Sequence, residues 1–198
     1  VSPPKLEFRI PGWLEAASPD PDRAFHGPEE RMTVAVELAR RNVRRETGGP
    51  FGAAVFDRDR GTLVAAGVNL VVRERCSVLH AEMVALMLAQ RSLESHDLAA
   101  PGLPECELVT SAEPCAMCFG AVPWSGVTRL VCGARSSDAR QVGFDEGEKP
   151  SDWTTALERR GVEVLRDVRR NEARSVLRAY AEGGGPIYNS RRGTSDGG

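Results

Sequence analysis

Two short stretches decide how this chain is read: His80-Ala81-Glu82 and, further on, Ser111-Ala112-Glu113-Pro114-Cys115-Ala116-Met117-Cys118. One imidazole and a Cys-x-x-Cys pair make three borderline-to-soft ligands, a set that suits Zn²⁺. No fourth protein ligand is evident, so the pattern predicts an open coordination position for water. Zinc lowers the pKa of such a water from about 16 toward about 7. Glu82 stands two residues past the histidine, where it can reach that water without occupying the metal and shuttle its protons. Two other readings remain at this point. The cysteines could belong to a closed structural site completed by Cys76 or Cys132, or to a redox pair. The redox reading leaves His80-Ala81-Glu82 unexplained.

Outward from these motifs, a helical period over Met32, Val36, Leu38, Ala39 and Val43 follows Pro28-Glu29-Glu30. Proline and acids suit a helix start. The helix is expected to stop at Thr47-Gly48-Gly49-Pro50. Strands at 51–56 and 62–68 about a tight turn predict an antiparallel hairpin. Residues 69–79 read as loop. A helix over 80–91 is expected to bury Met83, Val84, Leu86, Met87 and Leu88. Strand 107–111, helix 115–124 and strand 127–132 form a parallel crossover. Residues 136–152 read as mostly irregular, followed by a helix at 153–160, a strand at 162–165 and a helix at 172–181. The alternation predicts an α/β fold, a three-layer α/β/α sandwich with a mixed five-stranded sheet. The organisation is an N-terminal arm (1–28), one catalytic domain (29–182) and a C-terminal tail (183–198) expected to be disordered at its end.

The 198 residues suit one domain, and 41% hydrophobic with 27% charged residues is ordinary for a soluble protein. A formal net charge of −2 speaks against a nucleic-acid-binding surface. The arginines, interleaved with acids, read as solvated surface. Five cysteines, with neither a signal peptide nor a bilayer-spanning run in view, predict a reducing cytoplasm. Cys76, Cys106 and Cys132 then read as small hydrophobic residues. Trp124 is a candidate for the pocket wall or a helix-end anchor. Met83 and Met87 read as core, and Asn69 as a turn former or a recognition residue.

The zinc motifs, together with Gly48-Gly49-Pro50-Phe51-Gly52-Ala53, Gly120-Ala121-Val122-Pro123-Trp124, Ser137-Asp138-Ala139, Gly143-Phe144-Asp145 and Pro186-Ile187-Tyr188-Asn189, resemble the cytidine deaminase-like superfamily. Within it, the likeness is to the bacterial guanine deaminase branch of nucleobase and nucleoside deaminases, over about 31–189. The resemblance implies zinc on His80, Cys115 and Cys118, with Glu82 as proton shuttle. It also implies a base held by Asn69 and Phe51, site-lining backbone at Ala81 and Glu113, and a second acid at Asp138 or Asp145. Tyr188 would close a site, across the dimer where the tail exchanges between subunits. The implied reaction is guanine to xanthine with release of ammonia. Other aminopurines, aminotriazines, cytosine, cytidine and tRNA adenosine are the alternatives, with a catalytically silent zinc protein beyond them. A homodimer acting on a small nucleobase or nucleoside, without a membrane, is the expected assembly. Three features depart from the branch: Val78-Leu79 before His80, where Leu79 would alter the pocket; Ala112 before Glu113-Pro114-Cys115; and the long N-terminal arm.

Overall fold

The computed structural model describes residues 7–16 and 23–189. The elements are α1 (Gly12–Ala16), α2 (Gly27–Arg44), β1 (Gly52–Asp57), β2 (Leu63–Val68), α3 (Val71–Glu74), α4 (Ala81–Ser92) and β3 (Cys106–Ala112). They continue with α5 (Ala116–Ser125), β4 (Arg129–Ala134), α6 (Ser136–Gln141), α7 (Trp153–Glu158), β5 (Glu163–Leu165) and α8 (Arg170–Glu182). The sheet runs β2-β1-β3-β4-β5. The β1–β2 and β1–β3 pairs are antiparallel, and β3–β4 and β4–β5 are parallel. This is the expected mixed five-stranded sheet.

Each face of the sheet carries its own apolar layer. Along β1, Ala53 and Val55 point into the layer under α4, α5 and α7, and Ala54 and Phe56 into the layer under α2 and α8. Both faces being covered, β1 and β3 are buried throughout and show no polar alternation. The hairpin turn is held by Asp57, whose Oδ1 accepts the N–H groups of Asp59 and Arg60. Gly67 sets the approach of α4: a Cβ there would stand 2.4 Å from the Ala81 carbonyl oxygen and from the Ala85 nitrogen. A bare backbone on β2 therefore lets the start of α4 ride directly on the sheet.

Several expectations need correction. The 69–79 loop contains α3, and the 136–152 stretch contains α6. α3 is a single turn, Val71-Val72-Arg73-Glu74, too short to show a period; α6 has no apolar stripe and is held by Asp138, which accepts the Arg135 N–H at 2.9 Å. Met87 is 38% exposed and is not a core residue, and Met83 is half-buried. Arg31 is not solvated surface: it is buried and pairs with the fully buried Glu107, whose other oxygen takes Arg129 at 3.0 Å. Such a triad satisfies a carboxylate that would otherwise be costly inside the fold.

The described part of the N-terminal arm, 7–16 and 23–28, folds onto its own domain. Phe8, Ile10 and Trp13 pack on the α2/α8 layer, and the Trp13 indole N–H donates to Thr47 Oγ1 at 3.2 Å. At the other end, the chain leaves α8 and turns back over the turn before β1 and the segment after α6. Tyr180 Oη donates to the Pro186 carbonyl at 2.8 Å, and Asn189 Nδ2 to that of Gly143 at 2.8 Å. The polar end expected to be disordered, 190–198, lies outside the described residues. No helix among the described residues is long and apolar enough to cross a membrane.

Candidate active site

The carboxyl end of β3 runs into Glu113-Pro114 and delivers Cys115 as the N-cap of α5; His80 is the N-cap of α4. Both caps have extended backbone, so the ligand-bearing residues sit at the two helix mouths, where the positive end of each helix favours anionic groups. Cys118, one turn into α5, returns to the side of Cys115. His80 Nδ1 lies 3.5 Å from Cys115 Sγ and 3.6 Å from Cys118 Sγ. All three donor atoms fall within 4.8 Å of one another.

These distances fit a metal. Zinc bonds of about 2.3 Å to sulfur and about 2.0–2.1 Å to nitrogen, at the tetrahedral angle, place nitrogen and sulfur about 3.6 Å apart. The electrostatics agree. The hydrogen bond from Cys118, with His80 alongside, holds the Cys115 thiol down to about 4 against its burial. The same close thiolate, with burial, drives Cys118 upward. Two sulfurs this close can both ionise only around a cation. Cys132 lies buried in the sheet, and neither it nor Cys76 joins the cluster, so no cysteine among the described residues closes the site. The structural and redox readings lose their support there.

Above the cluster is a cavity of about 410 Å³, ample for a small heterocycle. Glu82 lines it and is 7% exposed. Burial, with the Cys115 charge adding to it, pushes the Glu82 carboxyl up to about 6 against the pull of His80. A group poised there both takes and returns a proton near neutral pH. Three aromatic rings wall the cavity: Phe51 meets Phe144 edge-on at 4.9 Å, and Phe144 meets Tyr188 edge-on at 5.4 Å. Asn69 lines it too, 1% exposed, with its Oδ1 accepting the Val71 N–H at 3.3 Å.

The structure separates the remaining sequence candidates. Glu113 lines the cavity, but its carboxylate is taken up by the Ser136 N–H at 2.9 Å and by Arg166 Nε at 2.7 Å. Asp145 stands at the rim, accepting the Gly147 N–H at 2.9 Å. Tyr188 reaches the cavity of its own chain, its hydroxyl buried without a partner among the described residues. Ala81, the first residue of α4, is fully buried against the sheet and is not among the residues that line the cavity. Asp138 does not reach the cavity: Arg170 clamps its carboxylate at 2.8 and 2.9 Å and holds it well below the usual range. Trp124 is not a pocket wall either, being 79% exposed on the outer side of α5. Leu79 is buried in the core and does not shape the cavity as expected.

Two contributors were missed in the sequence. Glu146, 5% exposed, lines the cavity with its Oε2 unpartnered among the described residues, and burial first of all pushes its carboxyl up to about 8. Its only sequence signal was an acid beside Asp145. Asn42 is fully buried in α2. Its Nδ2 donates to the carbonyls of Gly49 and Asn69, both at 2.9 Å, and ties the glycine turn to the cavity wall. A Cβ on Gly48 would collide with the Asn69 carbonyl, which explains the glycine there.

Comparison with known proteins places this geometry. The cytidine and deoxycytidylate deaminase zinc-binding region matches residues 27–134, more than half of the chain. A guanine deaminase from Bacillus subtilis is 35% identical over 133 residues, covering 64% of this chain and 81% of that protein. A solved structure of a guanine deaminase from Nitrosomonas europaea is 53% identical, covers 90% of this chain and 97% of its own, and superposes with a TM-score of 0.86. Another structure, 54% identical with a TM-score of 0.87 over 93% of this chain and 97% of its own, is a complex with 2,6-diaminopurine. The site is thus that of a zinc-dependent hydrolytic deaminase, and the chain belongs to the cytidine and deoxycytidylate deaminase zinc-binding family.

Proposed function

We propose that this protein hydrolyses guanine to xanthine and ammonia, with one zinc ion held by His80 Nδ1, Cys115 Sγ and Cys118 Sγ. The observation that carries the reading is the three-donor cluster, with the buried Glu82 carboxylate beside it, at the base of an aromatic-walled cavity. The ion, when bound, supplies an acidified water at neutral pH. With the ion bound, Glu82 would pass one proton of the water to the ring nitrogen as the oxygen adds to the ring carbon, and would then pass the second, from that new hydroxyl, to the departing amine as the C–N bond breaks, so that water is consumed and ammonia leaves. Phe51, Phe144 and Tyr188 enclose a flat ring and exclude bulk water. Asn69 and Glu146 supply polar groups for its edges, and Asp145 stands at the mouth. Burial first of all raises the Glu146 carboxyl, which favours a protonated form able to offer both a donor and an acceptor.

Incubation of the zinc-loaded protein with guanine, with ammonia as the readout, tests this reading. Release from guanine and none from cytosine or adenosine is the expected result. No release from guanine at full zinc occupancy contradicts it. Glu146→Ala is expected to lower kcat/KM for guanine by about tenfold to a hundredfold, the loss of a buried hydrogen-bonding partner. Zinc content should stay unchanged, as metal analysis of the same preparation will show.

The protein is further proposed to be a cytoplasmic homodimer. Ligand thiolates need a reducing compartment, which supports the location. On α5, Gly120, Ala121 and Trp124 share an outward apolar surface, which supports self-association. Sedimentation should give twice the 21.4 kDa chain mass, and a monomer at micromolar concentration would contradict it.

A further inference from the structure

We propose that Lys149 is a positioning residue of the site: it locks the 143–149 segment, and with it the Glu146 carboxylate, to the loop that carries Cys115. The inference rests on the role given above to Glu146. The segment is irregular, with Asp145, Gly147 and Glu148 exposed, yet Glu146 is turned inward and buried. Its backbone is docked by the Ala116 N–H, which donates to the Glu146 carbonyl at 2.9 Å. Asn189 adds ties at Gly143 and Asp145, and Arg140 one at Gly147, whereas Lys149 adds the tie to the ligand loop. Its Nζ donates to the Pro114 carbonyl at 2.6 Å and to Ser136 Oγ at 2.9 Å. Pro114 is the residue immediately before the Cys115 ligand, so the ammonium bridges the metal loop and the start of α6.

The lysine is itself immobilised. Its ammonium stands 4.5 Å from the centre of the Trp153 ring, a cation–π contact on a side chain packed into the α4/α5/α7 layer. Arg166, which holds Glu113, lies over the same ring at 5.5 Å. Lys149 is absent from the cavity wall, so it acts through Glu146 and not on the substrate. Glu146 carries the Ala116 tie on its own carbonyl and stands three residues before Lys149, and its place at the ring edge depends on both ties. A shift of about 1 Å at such a position costs up to about a hundredfold in rate.

Lys149→Met keeps the stem and the contact with Trp153 while removing the charge and both hydrogen bonds. The expected result is a loss of tenfold or more in kcat/KM for guanine at unchanged zinc content, with faster amide hydrogen exchange confined to 143–149. The same substitution in the Glu146→Ala protein is expected to cost less than twofold. A full, additive loss in that background, or unchanged turnover and exchange in the single variant, overturns the proposal. Where Lys149→Met loses zinc or fold, Lys149→Arg takes its place in the same cycle, with a smaller loss that again vanishes beside Glu146→Ala; an additive loss contradicts the proposal. If the unmodified protein releases no ammonia from guanine, the proposed substrate is wrong. The exchange measurement, which needs no substrate, then decides on Lys149 separately.

Discussion

Glu82→Gln is expected to bind zinc as well as the unmodified protein does and to lose about three orders of magnitude in kcat for guanine, within the range of about 10²–10⁴ for a general acid–base group. The reasoning is geometric. Glu82 is in the first turn of α4, two residues past the ligand, and lies outside the three-donor cluster. Glutamine has the same shape and keeps the packing, so metal content, fold and KM should change little. What disappears is the proton acceptor. The carboxyl, pushed up to about 6 chiefly by burial, suits a group that must be charged to accept and neutral to donate within one turnover. Metal analysis with steady-state kinetics on one preparation checks this; turnover within about threefold of the unmodified enzyme would remove Glu82 from the chemistry.

Cys118→Ser is expected to act one step earlier, by loss of the metal itself. The cysteine is fully buried, its sulfur 3.6 Å from His80 Nδ1. A serine hydroxyl at the same place is shorter, harder and un-ionised at neutral pH, a poor zinc ligand. Replacing a residue that only supports a ligand costs about ten- to a hundredfold in affinity, so loss of a ligand should exceed that. Zinc is expected to leave on dialysis and turnover to fall below detection. The far-ultraviolet circular dichroism should persist, because the two apolar layers are built without the metal. Full zinc retention by the variant would mean that Cys118 is not a ligand.

The zinc cluster was legible because a metal imposes ligand types and spacings that survive as local motifs. The sheet was legible because strands buried on both faces leave short apolar runs bounded by glycine, proline and aspartate. What stayed hidden has a physical reason in each case. In α4 every position from Met83 to Ala89 is apolar, so periodicity cannot tell the buried Leu86 from the exposed Met87. In α6 the sequence Ser136-Ser137-Asp138-Ala139-Arg140-Gln141 has no apolar stripe, and its helix is fixed by a cap and by Arg170 on α8.

The same stretch explains why Asp138 stood as an alternative to Asp145, which does line the cavity, and why Glu146 was missed. Asp138 and Glu146 are both acids in a polar segment, and only the fold shows that arginines neutralise the first and that the second faces the cavity. Trp124 carried the reverse error: a large aromatic near the ligands in sequence lies on the outer side of their helix.

Stripping the protein with a chelator and titrating zinc back, with ammonia release from guanine as the readout, bears most directly on the central claim. The site described here predicts that activity rises linearly and stops at one zinc per chain. Deamination by the metal-free protein, or a fully loaded protein that leaves guanine untouched, would contradict it.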